Sequence, residues 1–373
     1  KTVRFTNRND PRATTYGGNE WLPTLTKSPS IGLSVFNGDF SATGEIQLEG
    51  FEIGLTDSQF DAYAAYTWHG AQVKIYGGNL ETGVFTQLFI AAGNGATRQG
   101  RSTLKVELTT RDALLDRSLL YLGYAGTGDI EGTADLKGVV KPFVMGRTAQ
   151  YCKPVLIDPV RQIYQVHGYG PVESIDKVYE GGAPIGTGGN PTTSYSIAGG
   201  HTYATIKAAV VPLGEWVRFN DLGLVKLGSQ PSFPITCDVK GDTGGVNGGT
   251  AISKAGSLCK RLINLVVGTV TVNAASATAL DTAEPYGFDD YYDEQVSLPD
   301  AIAKILLSLG AYWTWNTIGE IIFGRVRFGS STITLSGVND QLPTVVGINQ
   351  LPTSAPVWSL RMGAEQCHFV HDA

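Results

Sequence analysis

A run of acidic residues is the feature of this sequence with the most suggestive side-chain chemistry. Its members are Asp281, Glu284, Asp289, Asp290, Asp293 and Glu294. Paired carboxylates can act as acid and base in glycoside hydrolysis, and clustered oxygen ligands can bind calcium. The spacing matches no EF-hand loop, however, and acidic runs beside glycine and tyrosine are typical of solvated surface. We therefore expect no catalysis in this run. Its candidate partner contacts are Asp289, Asp290, Asp293 and Glu294.

A second group of suggestive side chains is aromatic. Tyr312, Trp313 and Trp315 lie at nearly alternating positions and could form a platform for a sugar ring. Alternation after a helix is more typical of a strand with one face in the core and one face at an interface. We keep Trp313 and Trp315 as candidate partner contacts.

The histidines and cysteines do not have the spacing of a metal site. His69, His167, His201, His368 and His371 contain no HExxH pattern, and Cys152, Cys237, Cys259 and Cys367 contain no CxxC pair. A metal or iron–sulfur centre is therefore not expected. The group Cys367, His368, His371 and Asp372 could chelate a metal, but we interpret it as incidental. The cysteines are expected to be reduced, mostly buried thiols of a protein made in the cytoplasm. The sequence is also compatible with one disulfide bond.

Catalytic and phosphate-binding motifs are also missing from the sequence. No GxSxG nucleophile elbow occurs, and the glycine-rich loops 123–132 and 241–249 lack the GxxxxGK[ST] pattern. These loops are interpreted as linkers. The prediction is a protein without catalytic residues, cofactor or metal.

The length and composition of the chain limit the classes of protein to which it can belong. A chain of 373 residues with 42% hydrophobic residues predicts two or three globular domains. The 47 glycines indicate short strands, turns and bulges. A net charge of −6 argues against a surface that binds nucleic acid through phosphates. No apolar run approaches the roughly 18 residues of a membrane span.

The best-specified local structure is the segment 297–328. Ser297 and Asp300 form a capping box with Pro299 in the first turn, and an apolar stripe runs to Leu309 before Gly310. This pattern predicts a helix, followed by two strands at Ala311–Trp315 and Glu320–Phe328. A helix packed on an aromatic hairpin is an architectural unit rather than a reaction site.

The same periodicities predict a mainly β fold with a few helices, in the α+β class, with a β-barrel and an all-β insert. Four segments are expected. They are an N-terminal barrel at 1–122 with a helix at Thr56–Tyr66, a linker at 123–135, an all-β insert at 136–242, and a second α+β barrel-like domain at 243–373. The last contains a predicted helix at Ala251–Val266 and strands after residue 331. The tract 186–194 is predicted to be a loop.

Several segments together resemble the baseplate hub, or tail-tip hub, proteins of long-tailed, siphovirus-type bacteriophages. The similar stretches begin SPSIGLSVF, AQVKIYGG, GVVKPFVMGR, VRFNDLGLVKLG and SLPDAIAKILL, and they cover residues 28–63, 71–78, 138–185, 217–242 and 297–326. The order of these segments, more than any single motif, carries the resemblance.

The resemblance implies a structural virion protein of the tail tip or baseplate. It implies two tail-tube-like β-barrel domains per chain. These would give a homotrimer with pseudo-sixfold symmetry, which joins the distal tail ring to the central tip or fibre protein. Phage DNA would pass through the ring during ejection only as cargo, and an acidic lumen would not retain it. Some relatives carry a cysteine-bound iron–sulfur cluster, but the cysteine spacing here departs from it.

Two alternatives remain open at this point. One is a carbohydrate-active or glycan-binding β-protein that uses the acidic run at 281–294 and the two tryptophans. The other is the distal tail protein, whose barrel is similar to the first segment. The helix expected at 297–309 argues against the usual second domain of that protein.

Overall fold

The computed structural model describes residues 2–37, 39–54, 63, 66–79, 81–100, 102–186 and 201–326. The fold is mainly β with a few helices and includes a curled half-barrel sheet, which confirms the predicted class. Several predictions fall outside the described residues. They are nearly all of the helix at Thr56–Tyr66, nearly all of the loop at 186–194, the strands after residue 331, and Cys367, His368, His371 and Asp372.

The chain forms two compact units. Unit 1 contains Lys1–Ala113 together with the segment that begins at Leu306, and unit 2 contains Leu114–Ile305. The four-segment division predicted from the sequence has its boundaries elsewhere, after residues 122, 135 and 242.

The first sheet of unit 1 has five strands in the order β1-β4-β7-β6-β5. The strands are β1 (Leu25–Lys27), β4 (Phe51–Gly54), β5 (Gln72–Asn79), β6 (Val84–Gln99) and β7 (Thr103–Thr109). Strict alternation in β7 buries Leu104, Val106 and Leu108 on one face, as the period of two predicts. A short helix, α1 (Pro11–Thr14), precedes this sheet in the chain.

The second sheet of unit 1 combines the two ends of the described chain. Its strands, in the order β19-β18-β3-β2, are β2 (Ile31–Asn37), β3 (Asp39–Leu48), β18 (Ala311–Trp315) and β19 (Ile321–Arg325). The hairpin predicted after residue 310 is present, and its turn forms because the Asn316 side chain accepts the backbone N–H groups of Ile318 and Glu320. β18 runs parallel to β3, with Trp313 opposite Thr43. The hairpin therefore pairs with an N-terminal strand and not with any other strand described in the predicted segment 243–373.

Unit 2 contains two four-stranded sheets that pack face to face. One has the order β10-β11-β15-β14 and the other β13-β12-β16-β9. Their strands are β9 (Arg147–Cys152), β10 (Val155–Asp158), β11 (Ile163–Gln165), β12 (Val172–Glu180), β13 (Ala183–Pro184), β14 (Trp216–Phe219), β15 (Leu224–Leu227) and β16 (Ile235–Asp242). Apolar side chains from both sheets form one core, including Trp216, Val225, Val178 and Val239. A separate two-stranded sheet pairs β8 (Phe143–Met145) with β17 (Asp290–Tyr292).

A second core covers the other face of the β10-β11-β15-β14 sheet. It includes Tyr124 and Ile206, with Ile130 and Leu136 packed against it. The segment predicted as a linker at 123–135 is therefore packed on this core. Ile206 lies in α2 (Tyr203–Ala208), a helix that begins with a capping box between Thr202 and Thr205. Its presence corrects the all-β assignment of residues 136–242, which missed it because a single capped turn has too few residues to show a helical period.

Three longer helices are α3 (Ala255–Val266), α4 (Ala274–Ala283) and α5 (Leu298–Leu307). α5 begins as predicted, because the Ser297 hydroxyl accepts the Asp300 N–H at 3.1 Å. Ile302, Ile305 and Leu306 of the predicted stripe are buried, whereas Leu309 is half-buried and follows the end of the helix. α3 begins at Ala255 rather than Ala251. It approaches α4 closely at Gly256, where a Cβ atom would lie 2.2 Å from the Ala277 carbonyl oxygen.

This close approach gives a first prediction. Gly256→Ala should lower the free energy of unfolding by about 1–3 kcal/mol, because the added methyl must push α4 away. Denaturant unfolding measures the change. Gly268→Ala is the matched control, since its added Cβ would lie 3.7 Å from the nearest heavy atom and should alter stability little. Equal effects of the two substitutions would contradict the packing described.

Candidate functional site

The acidic residues singled out in the sequence do not converge on one site. Asp281 is buried at the start of α3, where it accepts the N–H groups of Gly256 and Ser257 at 2.7 and 3.2 Å. It therefore serves as a remote N-cap for that helix.

The acidic pair at the start of β17 also has structural partners. Asp290 is buried, and one of its carboxylate oxygens lies 2.5 Å from the Lys304 Nζ. Asp289 accepts a hydrogen bond from the Tyr151 hydroxyl at 3.0 Å, and desolvation raises its pKa. Asp293 and Glu294 are exposed and stay candidate contacts. Within the described residues, no group of three His, Cys, Asp or Glu side chains is placed to hold a metal ion.

The aromatic candidates lie in the interior of unit 1. Trp313 and Trp315 are each only 4% exposed, and their rings meet edge to face with centroids 6.4 Å apart. The Trp315 Nε1 donates to the Asp112 carboxylate at 2.7 Å, and the Arg111 guanidinium lies 5.2 Å from its ring centroid. Because both indoles are buried, they form neither a sugar platform nor a partner contact, which corrects that assignment. Alternation had suggested one exposed face, but β18 lies inside its sheet and both tryptophans point to the core.

Sequence reasoning missed a buried charge pair in unit 2. Asp242, at the end of β16, is almost fully buried and accepts two hydrogen bonds from Arg261 of α3, at 2.7 and 3.1 Å. The fully buried His167 has its Nε2 3.6 Å from the same carboxylate. Its Nδ1 accepts the Val144 N–H at 3.1 Å, which places the ring proton on Nε2, toward Asp242.

The electrostatics of this pair follow from its surroundings. Burial alone would raise the pKa of Asp242, but the interactions with His167 and Arg261 outweigh burial and leave the pKa lowered. The carboxylate therefore stays ionised inside the unit. The available signal in the sequence was Arg261, which lies directly before the buried Leu262 and Ile263 of the amphipathic helix α3.

A second histidine–carboxylate pair lies between α2 and β15. The His201 Nδ1 is 2.7 Å from Asp221, and its buried Nε2 has no hydrogen-bond partner. Such a pair activates a nucleophile when a hydroxyl or thiol lies at the second ring nitrogen. No described residue occupies that position, so within the described ranges the pair orients the ring and completes no triad.

An exposed apolar surface lies at one end of unit 2. We call it the loop end and define it as residues 159–162, 209–215 and 228–234. These loops meet because the Leu227 N–H donates to the Gln162 carbonyl at 3.0 Å and the Gly228 N–H donates to the Glu215 carbonyl at 2.9 Å. The most exposed apolar side chains here are Val160 (84%), Val210 (75%), Leu213 (84%) and Phe233 (65%). Apolar side chains grouped in this way are typical of a protein-binding surface.

Several charged side chains around the loop end already have partners within unit 2. Arg161 is paired with Asp158 at 3.1 Å. The Lys226 Nζ donates to three carbonyl oxygens at the end of α2, at 2.6 to 3.1 Å. Glu180 accepts the backbone N–H groups of Ser232 and Phe233. The surface therefore offers apolar contacts with little unpaired charge, which suits a protein partner better than a phosphate backbone or an anionic lipid.

The Asp242–Arg261 pair generates a second prediction. Arg261→Leu should destabilise the protein by about 3–5 kcal/mol at pH 7, because it leaves a buried carboxylate unpaired. The lowered pKa of Asp242 means that the pair stabilises the fold above the unfolded pKa near 3.9 and that this stability is lost as the pH falls through the folded pKa. The difference in the free energy of unfolding between wild type and Arg261→Leu should therefore become smaller below about pH 4.

Denaturant unfolding at pH 7 and in acid tests this, with Arg161→Leu as the control. Arg161 is about half exposed, and Asp158 keeps the backbone N–H groups of residues 160 and 161 as donors, so loss of the arginine should cost about 0–1 kcal/mol at either pH. If Arg261→Leu lowered the free energy of unfolding equally at both pH values, the ion pair with a charged Asp242 would be contradicted.

Comparison with known proteins adds no family assignment. None of the helices in the described ranges has the length and hydropathy that a membrane crossing requires. No protein-family model matches the chain, and no curated protein matches it.

Proposed function

We propose that this chain is a structural subunit that works by protein–protein contact: the hub of a siphovirus-type phage tail tip. It would act as a homotrimer in the virion, made in the cytoplasm of the host bacterium, and would join the distal tail ring to the central tip or fibre protein. The observation that carries the proposal is the loop end, an apolar surface whose neighbouring charges are paired within the chain.

Two further observations support an assembly role over catalysis. The mainly β fold with a curled half-barrel sheet is compatible with tube-like rings. In the described ranges, the carboxylates at 281, 289 and 290 are held by helix caps, hydrogen bonds and an ion pair rather than facing one another across a cleft. The order of the five similar segments adds the specific family.

Within this proposal the loop end contacts the neighbouring subunit. A closed ring of three requires a heterologous contact, in which one patch meets a different patch on the next copy. A group of exposed apolar side chains with little free charge suits the buried centre of such an interface.

The third prediction tests this contact on the full chain by size-exclusion chromatography with light scattering. Wild type should have about three times the 39.7 kDa chain mass. The double substitution Val160→Asp with Leu213→Asp should yield monomers, because it places charge in an apolar interface while changing only exposed positions. Circular dichroism and thermal unfolding should stay unchanged.

The control is Val84→Asp, which changes an exposed valine on β6 of unit 1 and should leave the trimer intact. A monomeric wild type would contradict the homotrimer, and a trimeric double variant would contradict the role of the loop end. A threefold or sixfold average of the particles by electron microscopy checks the ring directly.

The carbohydrate-active alternative loses one of its two supports, since Trp313 and Trp315 are buried. It makes a separate forecast: a monomer that releases soluble fragments from peptidoglycan. That result would favour the alternative over the hub. The other alternative, the distal tail protein, predicts particles with sixfold rather than threefold symmetry in the electron-microscopy averages.

A further inference from the structure

Two cysteines of unit 2 lie directly opposite each other. Cys152 of β9 and Cys237 of β16 are partners in an antiparallel pair. Both are fully buried and belong to the same apolar core between the two sheets. Opposed residues in an antiparallel pair point to the same face, so the two thiols face the same interior space.

The backbone spacing suits a covalent bond between them. Opposed residues on antiparallel strands have Cα atoms about 4.5–5.5 Å apart, and a disulfide needs about 4.4–6.8 Å. Both thiols are free in this structure. We propose that Cys152 and Cys237 form an oxidative modification site, at which a small-molecule disulfide of the glutathione class cross-links β9 to β16.

The position of β9 determines how the site is reached. Burial raises the pKa of both thiols, so neither is a ready thiolate in the closed fold. β9 is an edge strand, and Cys152 is its last residue before Lys153 and Pro154. A bulge interrupts the pairing of β9 with β16 next to the two cysteines, and Gln150 in this bulge has a φ of +61°. Opening of this strand end exposes the thiols without unfolding the sheet.

The chemistry is two successive thiol–disulfide exchanges. One cysteine thiolate attacks a sulfur of glutathione disulfide, forms a mixed disulfide and releases one glutathione thiolate. The second cysteine, after losing its proton, attacks the protein-bound sulfur and releases the second glutathione. The protein loses two protons and two electrons, and glutathione disulfide is reduced to two glutathione molecules.

This site stands whether or not the hub proposal holds, because it depends only on unit 2. It would keep the edge strand in register after transfer from a reducing to an oxidising environment. Cys259 lies on α3 and has no cysteine opposite it in the described part of the chain, so it should not react in this way.

The experiment treats the full wild-type chain with glutathione disulfide, blocks the remaining thiols with a maleimide in denaturant and determines masses. Of the four thiols, two should be lost, and digestion with trypsin should join peptide 148–161 to peptide 227–240. Oxidation should be slow in buffer and severalfold faster in mild urea. The midpoint of thermal unfolding should rise by about 5–10 °C after oxidation.

Variants sharpen the result. Cys152→Ala and Cys237→Ala should each abolish the cross-link, and the remaining cysteine should stop at the mixed disulfide with one glutathione, whereas Cys259→Ala should leave the cross-link unchanged. Peptide mapping in the wild type decides the question even where a variant fails to fold. Four alkylated thiols after oxidation in urea, or a cross-link through Cys259 or Cys367, would overturn the proposal.

Discussion

Unit 2 depends on an ionised carboxylate that has almost no access to water. Asp242 ends the strand β16, and its charge can be kept only where Arg261 meets it in a two-bond contact. This requirement fixes the position of α3 on the end of the sheet. It also fixes the orientation of the His167 ring, whose other nitrogen is occupied by the backbone of β8. A strand, a helix and a two-stranded sheet are thereby held by one buried charge.

Two other buried charged side chains of unit 2 are also held by hydrogen-bond partners within the unit. Lys226 is buried but directs its ammonium group at the free carbonyls of α2, which are the groups that a helix end leaves unpaired. The Asp281 carboxylate accepts hydrogen bonds from the unpaired N–H groups at the start of α3. Groups that could have formed a reaction centre are in this way engaged as caps and ties. The exposed loop end, by contrast, is apolar, because the contacts of Arg161, Lys226 and Glu180 leave it little unpaired charge.

Local structure was predictable where a capping signal and a clear apolar period coincide in adjacent residues. The Ser297–Asp300 capping box, the apolar stripe of α5 and the hairpin from Ala311 all appear in the structure. What could not be predicted are relations between distant residues. Nothing near Trp313 indicates that β18 lies beside β3, and nothing near Asp290 indicates that Lys304 neutralises it. α4 was missed because its small and polar residues, AASATALDTA, give little helical contrast. The acidic run looked like one site because its members are close in sequence, yet they are separated by a helix cap and a strand.

The parallel pairing of β18 with β3 has a consequence for biosynthesis. The described part of unit 2 is continuous in the chain, whereas the second sheet of unit 1 needs strands from both sides of it. At typical translation rates, β3 has emerged for on the order of ten seconds to a minute before β18 is made. Through that interval β3 has an open edge, the kind of edge that seeds aggregation between nascent chains. Residues 114–305 of unit 2 are all synthesised before β18, so the order of synthesis lets them fold before the second sheet of unit 1 can form.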